Sequence, residues 1–224
     1  MMSPRTKVLA VVGLTAALVA PTAAVAGSTL SAASNGHRPP RGGETISVLP
    51  AGQDNPSIAN GVAIGPEAAI YKTSGLGPSR LNTGASGELA YIDTAVFPGG
   101  ELPPGVTITE AQGINVLRRI GENLEAAGLS YDDVITMRVF LQNPAGEAKM
   151  DFAGWNRAYR QFFANTSVST GEAIPVPLGT AAPAAPMVVN PARPSRFALE
   201  IENLPVDGWL VEVEVDAAYP VKRK

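Results

Sequence analysis

The sequence predicts an α+β fold, a single mostly antiparallel sheet with two helices on one face. Three observations carry this prediction. Short alternating apolar runs occur near both ends of residues 55–220, and two segments between them repeat apolar side chains at spacings of three and four. Strands and helices alternate along the chain, and no third helix is available for the second sheet face. Symmetric association through that uncovered face is therefore expected, with strand residues such as Val139 or Val213 buried between copies.

Val62–Ile64 and Ala69–Thr73 flank Gly65, Pro66 and Glu67 and read as a hairpin, which runs into the turn Ser74-Gly75-Leu76-Gly77-Pro78. Leu89 to Val96 is a candidate strand. A long helix begins at Thr107 or Thr109, each with capping-box spacing, to Glu110 and Gln112. Ile114, Leu117, Ile120 and Leu124 form its buried stripe, and Gly128 is a natural residue to succeed its last turn. Ile135, Met137, Val139 and Leu141 alternate along a strand packed more deeply on one face. Asp151 caps a second helix whose stripe is Phe152, Trp155, Tyr159 and Phe162, read as core. From Ala164 to Pro194 the chain is rich in Pro, Ala, Thr and Ser and reads as a long loop. Two strands close the domain, Arg196–Ile201 and Val211–Val215, joined by a turn with Pro205, Asp207 and Gly208.

The N-terminus reads as a targeting segment. Arg5 and Lys7 precede an apolar run from Val8 to Ala20, too short for a comfortable membrane span, and Ala24-Val25-Ala26 offers a cleavage site. Residues 1–26 are thus read as a signal peptide, 27–54 as a flexible leader, 55–220 as the globular domain and 221–224 as a basic tail. The expected location is secreted or periplasmic, with no stable membrane insertion after cleavage.

Composition narrows the chemistry. The net charge is −3 and there is no basic stripe with interleaved aromatics, which argues against nucleic acid as a partner. The chain has no cysteine, and its one histidine, His37, lies in the leader. Thiol nucleophiles, Ser-His-Asp catalysis and His/Cys metal sites in the domain are excluded. What remains is Arg, Asp/Glu, Ser/Thr, Tyr, Asn, backbone and water. Arg196 opens a strand and could hold a carboxylate by two parallel hydrogen bonds, or form an ion pair with Glu200, Glu212 or Glu214. Glu212 and Glu214 share one facing, so pattern alone does not choose between them.

Several short motifs, in order, carry a resemblance. They are Thr73-Ser74-Gly75, Asn115 and Leu124 in a helix ending Ala126-Ala127-Gly128, Asn156-x-x-Tyr159-x-x-Phe162-Phe163, Pro194-x-Arg196, and Leu204-Pro205 with Glu212-Val213-Glu214 beyond it. Together they resemble the reactive intermediate deaminase (Rid/YjgF) family, small trimers of chorismate mutase-like fold that hydrolyse enamines and imines. The resemblance implies a homotrimer with sites at subunit interfaces, a small carboxylate or imino acid as ligand, and no metal or organic cofactor. It also implies roles: Arg196 anchors the substrate carboxylate, Glu212 positions or activates water, and Ser74, Gly75 and Asn156 line or support the pocket. The chain departs from the family pattern at four places. Residues 57–62 contain no tyrosine, Leu76 replaces the glutamine that commonly comes after Ser-Gly, Ala198 replaces a frequent cysteine, and the 164–194 loop is longer than the usual link. Hydrolytic deamination therefore stands beside two other readings, a non-catalytic trimer that binds a small carboxylate, and a member of a secreted complex that docks through the loop.

Overall fold

The computed structural model describes residues 38–221. The segment read as a signal peptide, 1–26, the first part of the leader and residues 222–224 of the basic tail lie outside the described residues. The elements are β1 (Thr45–Val48), β2 (Gly61–Ile64), β3 (Ile70–Lys72), α1 (Ile108–Ala126), β4 (Val134–Gln142), α2 (Phe152–Arg160), β5 (Ser195–Ile201) and β6 (Val211–Ala218). The fold is α+β. Four strands form a sheet in the order β3-β6-β4-β5, and β1 with β2 makes a separate two-stranded ribbon.

Helix α1 forms where the stripe and caps place it. The Thr107 side chain accepts from the Glu110 N–H at 3.1 Å, so the nearer of the two candidate caps is used. At the other end Gly128 adopts φ 74°, its N–H reaches the Glu125 carbonyl, and the Leu129 N–H reaches Leu124, the two bonds of a Schellman cap. Ile114, Leu117, Ile120 and Leu124 are all fully buried, packed with Met137, Val139 and Leu141 of β4 and Val211, Val213 and Val215 of β6. Asp151 caps α2 by accepting from the Gly154 N–H at 2.8 Å. Trp155, Tyr159 and Phe162 join the core, but Phe152 at the first turn of α2 is 42% exposed, with the Arg196 guanidinium 6.0 Å from its ring centroid.

Three expectations about the strands are corrected here. The predicted hairpin does not pair: β2 lies antiparallel to β1 and β3 lies antiparallel to β6, in different sheets. The partner that captures β2 sits inside the segment read as a flexible leader, since Thr45–Val48 is a strand that lines up Thr45 with Ile64. Leu89 to Val96 is not a strand. Its first residues belong to a 3-10 turn, Gly87–Tyr91, and Ile92 and Phe97 turn inward as isolated core residues. The two C-terminal strands, whose pairing the sequence left open, are not adjacent in the sheet. Strand β4 lies between them, parallel to β5 and antiparallel to β6, because the long connection through α2 returns the chain in the same direction.

Strand register fixes which side chains face the helices. Val139 pairs with Val213 and Met137 with Val215, all buried under α1. The expectation that Val139 and Val213 lie between subunits is therefore wrong, since the helix layer takes the fully apolar face. The open face carries Phe140, Arg138, Glu212, Glu214 and Asp216, with exposed Phe197 and Leu199 beside them. Arg138 bonds Asp216 at 2.8 Å and Glu214 at 3.2 Å, and Lys72 adds a contact to Asp216 at 3.4 Å.

The 164–194 loop is ordered by buried polar contacts. Glu110 on the first turn of α1 is fully buried and accepts from Arg157 of α2 and from the Gly179 N–H at 3.0 Å. Asn165 bridges the Arg160 and Val188 carbonyls, and Arg193 is buried against the carbonyls of Pro56, Pro191 and Thr166. The loop thus packs on the helices.

Candidate functional site

Arg196 is the second residue of β5 and pairs in register with Met137, so its side chain turns to the helix side of the sheet. There it meets α2. Its Nη2 donates to Asn156 Oδ1 at 2.8 Å, and its guanidinium carbon sits 4.2 Å from the centroid of the Tyr159 ring. The ring is held in turn, because the Tyr159 hydroxyl donates to the Ser57 carbonyl at 2.8 Å. Asn156 and Tyr159 are three apart on α2 and so present one face to the same target.

The guanidinium has no carboxylate partner among the described residues. Its Nη1 is buried with no hydrogen bond, and none of the three candidate glutamates reaches it. Glu214 is bound to Arg138, and Glu200 accepts from the Met150 N–H at 3.2 Å. Burial draws the Arg196 pKa below its ordinary value, and burial pushes the Tyr159 hydroxyl up. A buried cation without a counter-charge is costly, and an anion supplied from outside would relieve that cost. Beside it lies a recess of about 350 Å³ lined by Ile58, Ala59, Asn60, Thr136, Ser195 and Phe197. None of the lining residues comes from the 164–194 loop.

Ser74, Gly75 and Glu212 form a second group. The chain beyond β3 stays tied to β6 at two points. The Thr73 N–H donates to the Val215 carbonyl, its hydroxyl accepts from the Val215 N–H, and Leu76 exchanges two bonds of 2.9 Å with Val213. Ser74 and Gly75 lie between these anchors and are exposed. Gly75 lies against the Glu212 carboxylate so closely that a Cβ there would overlap Glu212 Oε1. Glu212 projects from the open face beside Phe140 and has no hydrogen-bond or ion-pair partner among the described residues. That separates it from Glu214, whose carboxylate is engaged by Arg138.

Within one chain the structure brings Arg196 to Asn156, and Glu212 to Gly75, next to Ser74 in the chain, but it does not join the two groups. They lie on opposite faces of the sheet, with β4 between β5 and β6. Tyr159 is the site residue that sequence reasoning missed. Its place in an aromatic stripe reads as core, and the three-residue spacing from Asn156 does not by itself assign the ring to the site.

The profile of a family described as Endoribonuclease L-PSP matches residues 91–219. No curated protein matches the chain. Among solved structures it is similar to a YjgF/UK114-family protein from Mycobacterium tuberculosis, at 21% identity over 79% of this chain and 100% of that one, with a TM-score of 0.37. It is also similar to a YjgF-family protein from Neisseria meningitidis, at 16% identity over 80% and 97% of the two chains, with a TM-score of 0.38. A third is Escherichia coli TdcF, solved with bound serine, at 22% identity over 78% and 100%, with a TM-score of 0.39.

Proposed function

Because this chain belongs to the endoribonuclease L-PSP (YjgF/Rid) family, we propose that it binds a small 2-imino or 2-oxo acid at Arg196 and hydrolyses the imine. The observation that carries this reading is the buried Arg196 guanidinium, stacked on Tyr159, steadied by Asn156 and left with Nη1 unpartnered. A substrate carboxylate completes the charge pair. Water adds to the C=N carbon, the resulting carbinolamine nitrogen is protonated, and ammonia leaves as the C=O forms. One water is consumed and one ammonia released. Glu212, whose carboxylate is not engaged by any described residue, accepts the proton of the attacking water.

Arg196 and Glu212 occupy opposite sheet faces, so the reaction needs Glu212 with Ser74 and Gly75 from a neighbouring copy. The reading therefore includes a homotrimer with clefts between subunits. It also includes export, to a secreted or periplasmic location, after removal of residues 1–26. The same separation of Arg196 from Glu212 favours a second reading, a carboxylate-binding trimer without turnover.

The test pairs calorimetric titration of a small 2-oxo acid with ammonia release from freshly generated imino acids. Arg196→Lys keeps the charge and loses the fork, and is expected to weaken binding by roughly 1.5–3 kcal/mol. Arg196→Ala weakens it further with the fold intact. Glu212→Gln abolishes ammonia release and leaves binding nearly unchanged. Binding by Arg196→Ala equal to wild type rules out the anchor. Binding without ammonia release in the wild type selects the second reading.

A further inference from the structure

A second cavity lies away from Arg196, against the C-terminal half of α1, and we propose that it binds a small apolar amine in its ammonium form. Its volume is about 700 Å³, and it shares no lining residue with the Arg196 recess. That volume lies in the range of small-molecule sites, roughly 300–1,000 Å³.

The floor is apolar and aromatic, formed by Leu129, Tyr131 and Phe162. It is also fixed. The Tyr131 hydroxyl donates to the Leu117 carbonyl at 2.9 Å, and its ring meets Phe163 edge-on at 5.5 Å. Gly121 makes this possible, because a Cβ there would overlap the Tyr131 hydroxyl and lift the ring off the helix. One wall is Met187 and Val188, from the long segment between α2 and β5. The Val188 N–H donates to the Gln161 carbonyl at 2.9 Å, the Met187 N–H donates to Gln161 Oε1 at 3.2 Å, and Asn165 Nδ2 donates to the Val188 carbonyl at 2.8 Å. The cavity is preformed, and this chain's long loop builds part of it.

Charge decides the class of ligand. Arg118, the cation on the rim, is committed to Asp93 at 2.6 Å. Glu122 and Glu125 also line the cavity and have no ion-pair partner among the described residues. The mouth is thus net negative above an apolar, aromatic floor, and that charge attracts a cation and repels a carboxylate. An aromatic ring joined to an ammonium through a short linker places its ring on the floor and its charge at the two glutamates.

The probe is 2-phenylethylammonium, titrated into the protein calorimetrically at low salt, with phenylacetate as the anion of similar size. Saturable binding at least tenfold tighter than that of phenylacetate is expected. Glu122→Gln combined with Glu125→Gln weakens it at least fivefold. Met187→Lys, at a residue 40% exposed, puts a competing ammonium in the wall and weakens it at least tenfold, with the thermal midpoint unchanged. Arg196→Ala leaves the affinity as in wild type. Absence of saturable binding, equal binding of phenylacetate, or wild-type affinity in the glutamine and lysine variants overturns the proposal. Loss of probe binding in Arg196→Ala overturns it as well, by placing the probe at the other recess.

Discussion

The guanidinium of Arg196 lies close enough over Tyr159 that its central carbon is 4.2 Å from the ring centroid, and the same arginine donates to Asn156 at 2.8 Å. A helix residue and a strand residue are thereby locked together, and one guanidinium nitrogen is left buried and unpartnered. Packing fixes the position of the cation without neutralising it.

Tyr159 substitutions separate the ring from the hydroxyl. Tyr159→Phe keeps the platform and loses the bond to the Ser57 carbonyl, so stability falls by about 1 kcal/mol and carboxylate affinity stays within twofold. Tyr159→Leu removes the platform. It costs about 2–4 kcal/mol of stability and weakens carboxylate binding severalfold, read by denaturant unfolding and calorimetry.

Gly75→Ala tests the second group. The atoms nearest the added methyl belong to the flexible Glu212 side chain, and Gly75 is exposed, so the unfolding midpoint changes little. The carboxylate must rotate away. Ammonia release is expected to fall at least tenfold while 2-oxo acid affinity is unchanged; a normal rate would show that Glu212 need not sit where it does.

Glu110 holds the loop to the helices. Glu110→Ala leaves Arg157 and the Gly179 N–H without their acceptor in a buried setting, at a cost of about 3 kcal/mol in urea unfolding. Limited proteolysis then cuts first within 164–194. Glu110→Gln retains an acceptor and loses less.

Asp216 gives the sheet an acid limit. Burial works to raise its carboxyl, but Arg138 and Lys72 outweigh burial and hold it below the ordinary value. A depressed folded pKa means that this contribution is fully present above the unfolded value of about 3.9 and is lost as pH falls through the lower folded value. Unfolding midpoints between pH 6 and pH 2.5 should drop below about pH 4. Asp216→Asn is less stable at pH 6 and shows a shallower acid decline.

Helix positions were legible because their signals are local. The Thr107 cap, the stripe from Ile114 to Leu124 and the glycine at 128 each act within a few residues, and all stand in the structure. Strand partners were not legible. The run Gly61–Ile64 fits a hairpin with Ile70–Lys72 as well as a ribbon with Thr45–Val48, and only competition among partners decides between them. The same holds for the facing of Glu212 and Glu214, whose identical spacing conceals that one is engaged by Arg138.

By itself the sequence determined the α+β class, both helices with their caps, the family motifs and Arg196 as the candidate anion anchor, because periodicity, capping and residue chemistry are written along the chain. The tertiary structure alone decided that β4 separates β5 from β6, that Tyr159 lies beneath Arg196, and that Arg196 and Glu212 point away from each other. Those facts arise from parallel or antiparallel pairing and register between distant segments. A one-residue change of register reverses every facing without altering the local pattern that a sequence displays.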